Sequence, residues 1–453
     1  MKDGNAHDVL CAACENIVEM TKTDERPFPE PDAKPRLRDF WHDLPREGRL
    51  LLSIVVLEFL GTGLVLPFNV VYLHEVRGFA LSDAGLLLGL PALVGVLVVG
   101  PGGTLIDRVG ARPVQVATLT LLVAADIVLA FASSVPVAAL ALVLNGVGFG
   151  LSWPAWQSLV AAVIPRHLRQ RYFGLNFTLL NLGIGIGGVV GGLLVDVDHT
   201  WTFQSLYLAD AASFLPALLL LLGPLRHVAG RPEPHADEHS ARIGYVAVLR
   251  RPGVAVLTVL GFASSFVGYA QLNAGMPAYA RAVSEVPTEG LGLAFAANTV
   301  VIVAIQLIVL QRIEGRRRTR VIAVMGALWS VAWLSLGLSG LVPGTVGATM
   351  LVAACASVFG LGETLLQPTV PALVNDLAPD HLRGRYNAVS SGAFQLAAVA
   401  GPAVSGVLIG QGLGPAYVVL LVLGSLAISV FAVLVVEPRL PAGVNGVPVR
   451  PPS

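Results

Sequence analysis

The chain has 453 residues, 29 basic and 29 acidic, with only 13% charged against 55% hydrophobic and a mean hydropathy of +0.73. Soluble domains carry about 25% charged residues, so a soluble multidomain protein is excluded. The balanced charge offers no field for nucleic acid, and three cysteines are too few for a disulfide scaffold. An integral membrane protein remains.

In chain order, residues 1–49 form a tail that is too long and acidic for a signal peptide and lacks a short apolar core. Cys11 and Cys14 there make a single weak metal or redox signal. Arg36 to His42 mixes aromatics with charges and is expected in the headgroup region, anchoring the first span. Apolar runs long enough to cross a bilayer as helices then recur at 50–73, 84–106, 113–133, 137–164, 173–195, 202–223, 253–279, 290–311, 320–340, 345–374, 386–410 and 415–436. The runs are continuous, whereas an outer-membrane barrel would alternate in ten-residue segments. The expected organisation is a six-helix bundle at 50–223, a cytoplasmic linker at 224–252, a second bundle at 253–436 and a tail at 437–453. Cys355 lies in an apolar run and is read as packing.

The loops support twelve spans. Of the 29 Lys and Arg, 27 fall in the tails or in alternate loops, and only Arg77 and Arg281 lie on the other side. The positive-inside rule then places both termini in the cytoplasm of a plasma-membrane protein.

The halves are copies. Pro154 and Pro165, followed by His167-Leu-Arg-Gln-Arg-Tyr172, return 214 residues later as Pro368, Pro379 and His381-Leu-Arg-Gly-Arg-Tyr386. The same offset carries Gly187, Gly188 and Gly192 onto Gly401, Pro402 and Gly406. The fold class is therefore an all-α membrane protein of twelve transmembrane helices in two pseudo-symmetric bundles. Parallel repeats of this kind belong to transporters with a midplane site between the halves.

Four acids lie inside the predicted spans: Glu58, Asp126, Asp210 and Glu363. No Lys or Arg is inside a span to pair with them. Burial of an unpaired carboxylate is costly, which favours its protonated form, and intramembrane acids are functional candidates by default. A cation would stabilise the ionised form and release the proton, which is exchange. Asp126 lies in the outer half of its helix, and Asp210 is open to a structural role tying helices 5 and 6. Asn69, Tyr72, Asn176, Asn181, Asn273 and Gln367 are candidates to line a cavity, some of them serving as helix–helix glue instead. No nucleotide loop of the form G-x4-G-K-[ST] and no His or Cys cluster is present, so no cofactor, metal or enzymatic activity is expected.

Gly103-Thr-Leu-Ile-Asp107-Arg108-Val-Gly110-Ala-Arg112 resembles the loop signature of the major facilitator superfamily, G-x-x-x-D-[RK]-x-G-x-[RK]. Helix 5, with Gly174, Gly183, Gly187, Gly188, Gly191 and Gly192, is similar to the antiporter signature G-x8-G-x3-G-P-x2-G-G, with Gly188 where the family has Pro. Gly362-Glu363, then Pro368 and Ala378 to Arg385, resemble the LmrP and MdtH type of multidrug:proton antiporter. The resemblance implies the major facilitator fold, small-molecule and proton partners, a monomer, and an acid at Glu363 that serves drug binding and coupling. It implies that Gly103, Asp107, Arg108, Gly110 and Arg112 form a conformational latch. A solvated turn with ordinary ion pairs is the plainer alternative. The glycines of helix 5 are expected to pack closely against helix 8 or 11 and seal the halves, or to be generic close packing. Asn145 stands where many drug:proton antiporters have an Arg early in helix 4. In the second half, the basic stretch Arg312 to Arg320 has no Asp matching Asp107. The function read from these features is proton-coupled export of lipophilic, often cationic, compounds. The alternatives are uptake of a nutrient such as a sugar, or a membrane scaffold using the N-terminal tail.

Overall fold

The computed structural model describes residues 37–228, 230 and 244–446. Cys11, Cys14, most of the N-terminal tail, residues 231–243 and residues 447–453 lie outside the described residues. The chain divides into two units, residues 1–41 and residues 42–453. A short helix covers Leu37–Asp43, and all membrane-length helices belong to the second unit.

Twelve helices among the described residues are long and apolar enough to cross a membrane: α1 (Arg46–Phe68), α2 (Asp83–Val109), α3 (Ala111–Ala130), α4 (Val135–Val163), α5 (Arg166–Leu194), α6 (Thr200–Leu222), α7 (Pro252–Ala282), α8 (Gly290–Ile313), α9 (Arg318–Ser339), α10 (Val346–Leu377), α11 (Asp380–Gly410) and α12 (Gly414–Arg439). Helices are the form such a chain must take, because each satisfies its own backbone in hydrocarbon. Their outer faces are apolar: Leu86, Leu97 and Leu193 are 75%, 67% and 81% exposed. In water such a surface would aggregate; against lipid it costs nothing. The expected all-α, twelve-helix fold is thus observed.

The helices outrun the apolar segments. α10 has 32 residues, about 48 Å at 1.5 Å each, against a hydrocarbon core of about 30 Å. Arg166, Arg169 and Arg171 therefore sit inside the first turns of α5, and Arg383 and Arg385 inside those of α11. Sequence expectation had placed them in loops, because hydropathy ends a span where charge begins while backbone hydrogen bonding does not.

Within the first half, α1 packs on α5 and α6, α2 on α4, and α3 on α4 and α6. In the second half, α8 and α9 pack on α10, α9 on α12 and α7 on α11. Between the halves, α2 meets α11, and α5 meets α8 and α10. The pairs α2–α11 and α8–α5 are exchanged by the repeat, as pseudo-symmetry requires. The second half buries Trp329, Trp333 and Phe359 completely; the first buries Tyr72 and Phe203 in the same way.

Candidate functional site

Glu363 lies in mid-α10, buried to 4% exposure. Asn298 of α8 donates from Nδ2 to its Oε2 at 2.8 Å, and the Tyr269 hydroxyl of α7 lies close enough to interact with it. Gln367, one turn along α10, donates in turn to Tyr269 at 2.5 Å. Among the described residues, no basic side chain pairs with Glu363. Two features of α7 aim Tyr269 inward. The helix relaxes into π turns at Ser265–Tyr269 and Gln271–Gly275, and such turns rotate side chains off the regular helical face. The Tyr269 ring then meets Trp329, Phe359 and Phe394 at 5.6–6.2 Å between centroids. Trp329 stacks flat on Phe359 at 4.5 Å and donates to its carbonyl. Glu363 is thus a carboxyl held by neutral donors beside an aromatic cluster built around Tyr269. Such a group binds either a proton or a cation, with no internal counter-ion competing. The convergence of Asn298 and Tyr269 on Glu363 brings together three different helices, which no single stretch of sequence reveals.

The other three acids gather in the first half. Asp210 on α6 lies close enough to Asp126 on α3 and to Glu58 on α1 for their charges to interact. Asp126 is 3% exposed, and its Oδ2 has no hydrogen-bond partner among the described residues. Ser213 Oγ donates to the carbonyls of Asp210 at 2.7 Å and Glu58 at 3.2 Å. Gly61 makes room: a Cβ there would lie 2.6 Å from Asp210 Oδ1. It is Ser213, one turn along α6, that ties α6 to α1, with Asp210 lying beside that contact.

The loop residues form a joint between halves. Asp107, at the end of α2, accepts from the backbone N–H groups of Gly384 at 2.6 Å and Arg385 at 3.2 Å, and its Oδ2 lies 3.5 Å from the Arg385 guanidinium. These N–H groups belong to the first turn of α11, where no intrahelical acceptor exists. Asp107 thus caps a helix of the other half. Gly103 and Gly384 permit the approach, each facing the other's carbonyl. Gly110, at φ +100, makes the turn into α3. Arg112, expected beside Asp107, instead donates to the Leu221 carbonyl at 2.8 Å, and Arg108 is exposed. Arg112 follows the turn at Gly110 into α3 and so meets α6.

The same joint recurs in the second half. Arg171, at the start of α5, pairs with Glu314, at the end of α8. The sequence signal was present but shifted. No Asp stands at the position matching Asp107, as expected; a Glu, 207 residues after Asp107 and not the 214 of the other motifs, takes the role. A third tie is asymmetric. Asp376, buried at the end of α10, takes Arg169 of α5 on Oδ1 at 2.5 Å and Arg318 of α9 on Oδ2 at 2.7 Å. Arg169 is itself fixed by the Ala161 and Ile164 carbonyls at the end of α4. Asp376 lies past the apolar run of helix 10, where a charged residue carries no sequence signal. These ties and Ser158–Asn387 gather at the arginine-rich end of the bundle.

The glycines of α5 divide. Gly183, Gly187 and Gly191, spaced by four, face α1, where any Cβ would strike backbone between Val56 and Leu64. Gly174 alone of the motif meets α8, at Leu310. Gly188 and Gly192 leave room for a Cβ at ordinary contact distance, with nothing closer than 3.7 Å. The expected seal against α8 or α11 is therefore mostly a seam within the first half, because a spacing of four selects one helix face.

The cavity candidates also divide. The Tyr72 hydroxyl is fully buried, donates to the Leu129 and Ala130 carbonyls and accepts from Arg77. It ties α3 in place and lines nothing. Asn69 accepts from Tyr207 at 2.7 Å, and Asn181 bonds its own helix at Phe177. Asn176 is buried, with its Oδ1 unpartnered among the described residues. Asn273 is exposed. Gln367 alone of the six joins the Glu363 network.

The comparisons agree with this architecture. The uncharacterized MFS-type transporter YttB of Bacillus subtilis is 24% identical over 405 residues, covering 88% of this chain and 96% of its own. The quinolone resistance protein NorA of Staphylococcus aureus is 30% identical over 170 residues, 38% of this chain and 44% of that protein. The transporter FucP, solved in the outward conformation, superposes with a TM-score of 0.67 at 16% identity, over 87% of this chain and 98% of its own. The model of the Major Facilitator Superfamily matches residues 51–350 and 291–451, and with twelve spans, a repeated inter-half joint and this match, the chain belongs to that superfamily of multi-pass membrane transporters.

Proposed function

We propose that the chain is a proton-coupled exporter of the plasma membrane, moving lipophilic and often cationic compounds by alternating access, as a monomer with both termini in the cytoplasm. The observation that carries this reading is Glu363: a buried carboxyl without a basic partner among the described residues, bonded by Asn298 and beside Tyr269, around which Trp329, Phe359 and Phe394 cluster. A lipophilic cation stabilises the carboxylate, the proton leaves, and reprotonation releases the cation. The likeness to a quinolone resistance protein over part of the chain and the helix 10 likeness to the LmrP and MdtH type support export. The arginine-rich end is then the cytoplasmic face, tied shut in this conformation.

The test is proton-driven efflux of ethidium by cells expressing wild type or Glu363→Gln at matched membrane levels. Glutamine keeps the shape and removes the charge. A charge-assisted contact contributes about 1.5–3 kcal/mol, so efflux should fall about tenfold or more. Equal efflux would assign Glu363 a structural role and bring Glu58 forward. No efflux from either would favour a narrower substrate, such as a sugar.

A further inference from the structure

The segment after α12 folds back onto the loop between α8 and α9. Asn445 is 3% exposed and bonds there three times. Its Oδ1 accepts the Thr319 N–H at 3.0 Å, its Nδ2 donates to the Thr319 hydroxyl at 3.1 Å, and its carbonyl accepts the Arg318 N–H at 3.0 Å. The preceding carbonyl, Val444, accepts from the Arg318 guanidinium at 2.9 Å. Glu437 clamps the root of the segment, taking the Thr319 hydroxyl and the Arg317 side chain. The first half carries a plainer version: after α6 the chain also returns, and the Gly230 carbonyl meets the Ala111 N–H at the start of α3 at 3.5 Å.

Arg318 is the point of consequence. The nitrogen that meets Val444 also meets Asp376 Oδ2, and the other oxygen of Asp376 holds Arg169 across the inter-half boundary. A buried guanidinium needs acceptors for its donors. Here two of those acceptors are the docked segment and Asp376. We infer that Asn445 is a positioning residue for the inter-half tie: by docking residues 441–446 it holds Arg318 on Asp376, and so keeps Asp376 aimed at Arg169. The segment is thereby part of the device that holds the arginine-rich end closed. This rests on the alternating-access reading but not on any substrate.

The test uses the full chain in lipid nanodiscs, with Cys11→Ser, Cys14→Ser and Cys355→Ala as background and spin labels at His167→Cys and Asp380→Cys, both exposed at that end. Double electron–electron resonance reads the distance between halves. Asn445→Ala should raise the ratio of long to short distances about fivefold, the effect of losing one or two net hydrogen bonds. Asp376→Asn should do the same, and adding Asn445→Ala to it should change little further. If Asn445→Ala lowers the melting temperature while leaving the distribution unchanged, the residue is merely structural and the inference falls. It also falls if truncation after Leu440 leaves the distribution unchanged. Dye efflux by the wild type reports separately on the proposed function, and its failure would leave these distances unaffected.

Discussion

At the scale of single residues, the joint between halves depends on absent side chains. A Cβ on Gly384 would lie 2.7 Å from Asp107 Oδ1 and 2.8 Å from the Ile106 Cβ. Gly384→Val must therefore push α2 and α11 apart and displace the carboxylate that caps α11. The expected result is a transporter that stays folded but loses the short population in the same distance measurement. Gly110 fails differently. Its φ of +100 and ψ of 156 are open essentially to glycine alone, so Gly110→Ala stores about 1–3 kcal/mol of strain. A lower melting temperature in detergent checks it. Glu363 belongs at this scale too, since its chemistry depends on which neighbours donate and on the lack of a paired cation.

At the scale of helices, the seam between α1 and α5 is the sharpest case of small-residue packing. Gly187→Leu would drive a side chain into the Leu60 carbonyl and the Gly63 Cα, and overpacking of this kind costs about 1–3 kcal/mol or more. Gly188→Ala, one residue away, adds a Cβ at ordinary contact distance and should be near neutral, whereas the Cβ of Gly187→Ala already strikes the Leu60 carbonyl. Yield of monodisperse protein after heating separates the two; equal losses would contradict the assigned face. The turn between α5 and α6 offers a pH test outside the spans. Asp196 accepts from His199 and from the Asp198 N–H, which hold its carboxyl below the usual range. A lowered value means stability present above the unfolded value of 3.8 and lost as pH falls through the folded one. Protection of the Asp198 amide, its exchange relative to an unstructured peptide at the same pH, should fall only as pH drops below 3.8.

At the scale of the whole molecule, two pseudo-symmetric ion pairs close one end, but they differ in burial. Arg385 and Asp107 are 6% and 5% exposed, while Arg171 and Glu314 are 13% and 36% exposed. Removing one partner of a buried pair costs about 3–5 kcal/mol, and an exposed pair contributes about 0–1 kcal/mol. Asp107→Ala should therefore open the arginine-rich end far more than Glu314→Ala. Comparison of the two by the distance measurement tests this, and similar shifts would mean that burial does not grade the joint.

Much was legible in the order of residues alone. Membrane residence, twelve spans, the repeat and the superfamily signature follow from hydropathy and spacing, because a helix in lipid must be apolar along its own length whatever it packs against. Glu363 stood out for the same reason: charge inside a span is visible without a structure. Contacts between helices were not legible. That Asp107 reaches Arg385 and not Arg112, that the α5 glycines face α1, that Tyr72 is a tie, and that Asp376 bridges Arg169 and Arg318 are decided by how helices distant in sequence rotate and pack. Close packing in lipid selects a helix face by shape and hydrogen bonding, and neither is written in the hydropathy of one segment.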